Sequence, residues 1–228
     1  MTAGTTDAAP GSRIYLATGN AGKLREMRAL FGGTRFALEA FAGYVSPAEG
    51  DRSYADNAAL KARALRARLD AQRERVSVLA DDSGLEVRAL GGRPGVTTAD
   101  YAGSYASWTQ RRHALLAELA AVAAADRHAR FVCALHYIDP EGREFGSFGT
   151  VDGTIALAER GTLGFSFDPI FCYPPAAKTF AELDEHAKNR VSHRAIAVAA
   201  IVAAIETAAL GLRPADPVNR GENAVERE

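Results

Sequence analysis

The sequence predicts an α/β fold, a mixed sheet covered by helices, on three observations. Short apolar runs alternate with helical segments along most of the chain. The stretch Ile14-Tyr15-Leu16-Ala17-Thr18-Gly19-Asn20-Ala21-Gly22-Lys23 reads as a buried strand, a tight polar turn and the start of a helix. Asp139-Pro140-Glu141-Gly142 is a turn signal between two strand-like runs, so residues 130–151 are expected to form an antiparallel hairpin.

Taken in order, strands fall near 13–18, 76–81, 84–88, 130–138 and 144–151, and helices near 21–32, 53–70, 107–122 and 194–210. Capping residues mark the helix starts. Asn20 precedes a helix that carries Leu24, Met27, Leu30 and Phe31 on one face, and Ser53 precedes Tyr54. Ser107 has Gln110 three residues on, and Ser192 precedes a final helix rich in Ala, Ile and Val. Residues 1–12 are small and polar, and residues 213–228 carry Pro214, Pro217, Gly221 and unpatterned charge. Both read as flexible tails around a single domain of residues 13–212.

Composition narrows the function. The 228 residues are 47% hydrophobic and set 27 Lys and Arg against 28 Asp and Glu. Such a chain can bury a full core and has no global pull toward a polynucleotide or a membrane, so any basic site must be built locally by folding. Cys133 and Cys172 lie far apart in apolar contexts, unlike a disulfide framework or a zinc cluster, and read as buried thiols. No apolar window is long enough to span a bilayer, and residues 1–12 lack the features of a signal peptide, which predicts a cytoplasmic protein.

Four motifs carry chemistry. The helix start at Asn20 offers amides, a positive dipole end and the Lys23 ammonium to a phosphate. In Leu79-Ala80-Asp81-Asp82-Ser83-Gly84-Leu85, two adjacent carboxylates follow a hydrophobic strand, where a sheet end would tip them outward as hard ligands for magnesium bridged to phosphate. The same residues also suit an ordinary Asp-Asp-Ser-Gly turn. Upstream lie Glu49 in a loop and Asp56, Asn57 and Lys61 on the next helix, where Asn57 and Lys61 share a face. The loop Gly161-Thr162-Leu163-Gly164-Phe165-Ser166-Phe167-Asp168-Pro169-Ile170-Phe171 is bracketed by glycines and offers aromatic faces and one carboxylate. Phe165 suits stacking on a base and Asp168 suits accepting from a purine edge, although an aromatic pair suits a core equally. Lys188-Asn189-Arg190-Val191-Ser192-His193-Arg194 gathers cations at a helix start, against the dipole. They either face an anion or a ring carbonyl, or are simply solvated.

Two nucleotide motifs are excluded by spacing. Gly19-Asn20-Ala21-Gly22-Lys23 has too few residues between its glycines for a P-loop, and Leu24 stands where Ser or Thr should follow the lysine. No G-x-G-x-x-G dinucleotide fingerprint is present.

Four segments in order, Thr18-Gly19-Asn20-Ala21-Gly22-Lys23, Ala80-Asp81-Asp82-Ser83-Gly84-Leu85, Phe165-Ser166-Phe167-Asp168-Pro169-Ile170-Phe171 and Ser192-His193-Arg194, resemble the signature segments of the inosine triphosphate pyrophosphatase family. Members hydrolyse non-canonical purine nucleoside triphosphates such as ITP, dITP and XTP to the monophosphate and pyrophosphate. The resemblance implies an elongated, mixed and twisted sheet in two lobes with the active site in the cleft between them. It also implies magnesium as cofactor and a homodimer. By position, Thr18, Gly19, Asn20, Ala21, Gly22 and Lys23 would hold the triphosphate, with Lys61 as a second cation and Asp82 in the acidic catalytic position. Asp82 would ligate the metal and accept a proton from the attacking water, with Glu49, Asp81 and Asp56 as further metal ligands. Ser83, Phe165, Ser166, Phe167, Asp168, Lys188, His193 and Arg194 would contact the nucleotide, with arginine donors meeting the purine O6.

The chain departs from the family pattern at four positions. Asp56 stands where glutamate is common, Asp100 in Thr98-Ala99-Asp100-Tyr101-Ala102-Gly103 where a base is usual, and Ser166 and Phe167 where glycine and tyrosine are usual. A nucleotide sensor that keeps the pocket without turnover, and a pyrophosphatase for other modified nucleotides, are the competing readings.

Overall fold

The computed structural model describes residues 13–212, so the expected tails at 1–12 and 213–228 lie outside the described residues. In chain order the elements are β1 (Arg13–Leu16), α1 (Ala21–Phe31), β2 (Ala37–Ala40), α2 (Tyr54–Ala71), β3 (Ser77–Val87), β4 (Pro94–Gly95) and α3 (Trp108–Glu118). There follow β5 (His128–Ile138), β6 (Glu144–Ile155), β7 (Phe171–Tyr173), β8 (Lys178–Thr179), α4 (Glu185–Val191) and α5 (His193–Ala209). The eight strands form one mixed sheet in the order β2-β1-β3-β5-β6-β7-β8, with β4 paired to the edge of β3. Strand β1 runs parallel to both β2 and β3, and the other pairs are antiparallel. The expected α/β class and the hairpin at residues 130–151 are both present, as β5 and β6.

The period-2 alternation of the long strands sorts the core by face. Leu79, Cys133 and Leu135 pack with Ile14, Met27 and Phe31 under α1 and with Val198 and Ile201 of α5. Val78, Ala80 and Ile138 face Ala62, Leu65 and Leu69 of α2. Toward the other end of the sheet, Leu85, Leu115, Phe131, Phe167, Phe171 and Phe180 form a separate aromatic-rich cluster. Each fully buried Leu or Phe removes enough apolar surface from water to contribute about 1.5–3 kcal/mol.

Local signals were sufficient for helix starts. Asn20, Ser53, Ser107 and Ser192 all cap as expected, and Ser107 and Gln110 form a complete capping box. Two expectations are corrected. The strands read at 76–81 and 84–88 are one continuous strand, so Asp81-Asp82-Ser83-Gly84 is neither a turn nor a sheet end. The helix read at 107–122 stops at Glu118, and the carbonyls of Leu119 and Val122 accept instead from the buried Arg127 guanidinium, at 2.6 and 3.0 Å. Strands β2, β4, β7 and β8 and helix α4 carry no periodic signal because they are two to seven residues long. Among the described residues, no single helix is long and apolar enough to cross a membrane.

Candidate active site

The site sits at a gap in the sheet. Strand β1 pairs with β3 only as far as Leu79, and β4 takes up that edge again only at Leu85. Between them the edge of β3 is open, while its other side stays paired to β5 through Asp81↔Leu135 and Asp82↔Ala134. The chain leaves β1 at this gap and turns into α1, which places Thr18 to Lys23 beside the open edge. A crevice where parallel strands end and the connection changes direction is where open α/β sheets take their ligands. The cleft there has a volume of about 230 Å³ and is lined from end to end by residues of all four motifs.

The pleat of β3 sends Asp81 and Asp82 to opposite faces, so each meets its own cations. On the α1 and α5 face, Asp81 lies 2.5 Å from Lys23 Nζ and 3.4 Å from the Arg194 guanidinium. Burial alone would raise its pKa, but Lys23 and Arg194 outweigh that and hold the carboxyl well below the usual range. On the α2 face, Asp82 Oδ1 accepts from Lys61 Nζ at 2.8 Å and Oδ2 from Asn57 Nδ2 at 3.2 Å. Burial dominates here and pushes Asp82 up to about 6 against the pull of Lys61 and Lys23. Lys61 also reaches Glu49 at 2.8 Å, and although burial would lower its pKa, Asp82 and Asp81 outweigh that and hold it above the ordinary lysine value.

The helix start differs from the expected phosphate cradle. Asn20 Oδ1 accepts from the amides of Gly22 and Lys23 at 2.9 and 3.1 Å, and Thr18 Oγ1 accepts from the Asn20 amide. The cap therefore occupies two of the donors that the sequence offered to an anion. Thr18, Gly19, Asn20 and Lys23 line the cleft, whereas Ala21 and Gly22 do not. Gly22 serves the other end of the site, since a Cβ there would stand 3.0 Å from the Phe165 ring.

At that other end, Asp168 accepts from the Phe165 amide at 2.7 Å and from Lys188 Nζ at 2.6 Å. Gly164, at φ +73°, is required there because a Cβ would collide with the Asp168 carboxylate. Lys188 and Arg194 both lie over the Phe165 ring, 5.1 and 5.7 Å from its centroid. Arg194 donates Nε–H to Asp81, both Nη2 hydrogens to Asp81 and Ser83, and one Nη1–H to Glu26. Of its five donors one Nη1–H is left by this pattern. His193 stacks on Phe131 at 4.7 Å, and its Nδ1 has no hydrogen-bond partner among the described residues. Burial and the neighbouring charges of Arg194 and Lys188 push His193 well below its ordinary pKa, so the ring is neutral.

Sequence reasoning missed Glu26. This buried carboxylate on α1 takes Lys188 at 2.5 Å and Arg194 on its two oxygens, and so answers the cations gathered at the start of α5. The available signal was its spacing three residues after Lys23, at the margin of the apolar face of α1. Asn57 and Trp108 were also not counted in the site. Besides Ala21 and Gly22, two further residues counted in it stand outside the cleft lining: Phe167 is fully buried in the aromatic cluster, and Asp56 is exposed on the first turn of α2.

For a metal, the cleft offers Glu49 and Asp82. Both carboxyls lie 2.8 Å from Lys61 Nζ, which they share. No group of three or more His, Cys, Asp and Glu suited to a metal occurs among the described residues. Two adjacent hard carboxylates fit magnesium, which takes one or two protein carboxylates and completes its shell with water and substrate phosphate. Asp81 is already committed to Lys23 and Arg194.

Known proteins are similar to this chain over most of its length. A dITP/XTP pyrophosphatase of Geobacillus kaustophilus is 44% identical over 188 residues, covering 81% of this chain and 90% of that protein. A dITP/XTP pyrophosphatase of Thermus thermophilus is 42% identical over 197 residues, covering 85% of this chain and 92% of its own. The solved structure of the Staphylococcus aureus Ham1 protein superposes with a TM-score of 0.72 at 34% identity, covering 86% of this chain and 99% of that one. Residues 14–204, which include every motif of the cleft, match the Ham1 family, and the chain belongs to it.

Proposed function

We propose that this chain hydrolyses non-canonical purine nucleoside triphosphates, dITP, ITP and XTP, to the monophosphate and pyrophosphate. The observation that carries the reading is one cleft holding two different ends. Lys23, Lys61, Glu49 and Asp82 converge at the β3 gap, and Phe165, Asp168, Lys188, His193 and Arg194 converge beside it. The first set suits a triphosphate and its cation, the second a flat ring with polar edges.

Phosphoryl transfer asks mainly for positioning and charge neutralisation. Lys23 and Lys61 meet the phosphate oxygens, exchanging part of their pairing with Asp81 and Glu49 for the substrate. Magnesium, held by Glu49 and Asp82, would supply Lewis-acid neutralisation of the phosphates. Asp82 accepts the proton of the water that attacks the α-phosphorus, and Asn57 and Lys61 fix the orientation of its carboxylate. At the base end, the remaining Nη1–H of Arg194 donates to a 6-oxo group. Adenine would set its amino hydrogens against that donor and leave buried polar groups unpaired. The neutral His193 Nδ1 adds a second polar contact from the stacked ring. Two lobes on either side of the cleft, a homodimer and a cytoplasmic setting belong to the same reading.

The test is pyrophosphate release, distinguished from orthophosphate, from ITP, dITP, XTP, GTP and ATP in parallel with magnesium. Pyrophosphate from ITP or XTP with little from ATP is expected. Tight ITP binding without product would make the chain a nucleotide sensor instead.

A further inference from the structure

Trp108 is the chain's single tryptophan, and it is the first residue of α3. Its indole lines the cleft together with Phe165, Ser166 and Asp168. It also packs edge-on against Phe167, with ring centroids 5.7 Å apart at 77°, and carries the Arg111 guanidinium 5.0 Å from its ring. Arg111 is in turn buried and donates to the carbonyls of Gly103, Ser104 and Ala106, which fixes the first turn of α3 on the loop before it.

One residue further, Arg112 reaches across to the base loop. Its Nη1 donates to the Ser166 carbonyl at 3.0 Å, and its Nε pairs with Glu159 at 2.9 Å. Ser166 holds φ at +60°, a left-handed conformation that strains a residue with a side chain. The conformation that turns Phe165 and Asp168 into the cleft is thus pinned from outside by α3, the same helix that carries Trp108.

We propose that Trp108 is the second aromatic wall of the base end, facing the bound base, and that Arg112 is a positioning residue that sets the wall and the Phe165 loop at a fixed separation. This inference rests on the nucleotide reading of the cleft. An aromatic wall gives sequence-tolerant stacking affinity, so Trp108 strengthens binding of every purine while the polar edge contacts choose among them.

The chain's only indole makes the test direct. The intact protein is titrated, with magnesium present, with an ITP analogue whose α- and β-phosphorus are bridged by a methylene, so that binding is read without turnover, and tryptophan emission is followed. Saturable quenching by this ITP analogue with none from inorganic pyrophosphate is expected. Trp108→Ala should raise KM for ITP about tenfold, more than it lowers kcat, with Trp108→Phe recovering most of the loss. Arg112→Ala should raise KM similarly, and adding Ser166→Gly to that variant should restore it, because glycine holds the left-handed turn without the clamp. Pyrophosphate release with unchanged emission and an unchanged KM in Trp108→Ala would overturn the wall while leaving the activity standing. Failure of Ser166→Gly to rescue would overturn the role of Arg112. If no nucleotide yields pyrophosphate but the ITP analogue still quenches, the activity reading fails and the wall stands.

Discussion

Asp82 is a carboxylate with one oxygen on Lys61 and the other on Asn57, on the opposite face of β3 from its neighbour Asp81. Asp82→Asn keeps the shape and one acceptor but removes the proton acceptor and the metal charge. Turnover should fall about 10²–10⁴-fold with ITP binding retained by calorimetry, and near-normal pyrophosphate release would remove Asp82 from the chemistry. Glu26 makes a different prediction. Burial would raise its pKa, but the charges and hydrogen bonds of Arg194 and Lys188 outweigh that and hold it below 4.5. A depressed carboxylate contributes stability that is complete above its unfolded value and lost as pH falls through the folded one. Glu26→Gln, which leaves two buried cations short of a partner, should cost about 3 kcal/mol at neutral pH. That corresponds to a fall in Tm of roughly 6–12 °C for a domain of this size. The gap between variant and wild type should narrow below about pH 4.5, and a gap that is constant down to acid would show that the charge of Glu26 is not what stabilises.

Helix α5 is set on the sheet by the absence of a side chain. A Cβ at Gly149 of β6 would stand 2.2 Å from the His193 carbonyl and 2.6 Å from the Ala197 amide, both backbone atoms that cannot swing aside. Gly149→Ala should therefore cost about 1–3 kcal/mol and shift His193 and Arg194 together, raising KM for ITP more than kcat is lowered. Equal stability and KM would mean that the helix start tolerates displacement. At this scale the sequence was readable wherever the cause was local. Asn20, Ser53, Ser107 and Ser192 cap helices with atoms three residues away or fewer. Asp81-Asp82-Ser83-Gly84 resembled a turn because its strand is imposed by pairing with residues 132–135, some fifty positions on, which no local pattern records. Glu26 was hidden for the same reason, since both of its cations come from residues 188 and 194.

Over the whole molecule, net charge is near zero, and the cleft reproduces that balance in miniature. Lys23 with Asp81, Lys61 with Glu49 and Asp82, and Lys188 and Arg194 with Glu26 are paired across elements from both faces of the sheet. A triphosphate adds several negative charges to a site whose cations already have partners, so the lysines alone gain little from it. A divalent cation held by Glu49 and Asp82 would supply the positive charge that restores the balance. Ligand binding should then stabilise the fold mainly when the metal is present. At about 100 times Kd, pyrophosphate with magnesium should contribute about 2.7 kcal/mol, a rise in Tm of roughly 5–11 °C. The same pyrophosphate with EDTA should give less than half that shift. Equal shifts under both conditions would mean that Lys23 and Lys61 hold the phosphates unaided, and that the carboxylates of the gap serve to order the lysines rather than to carry a metal.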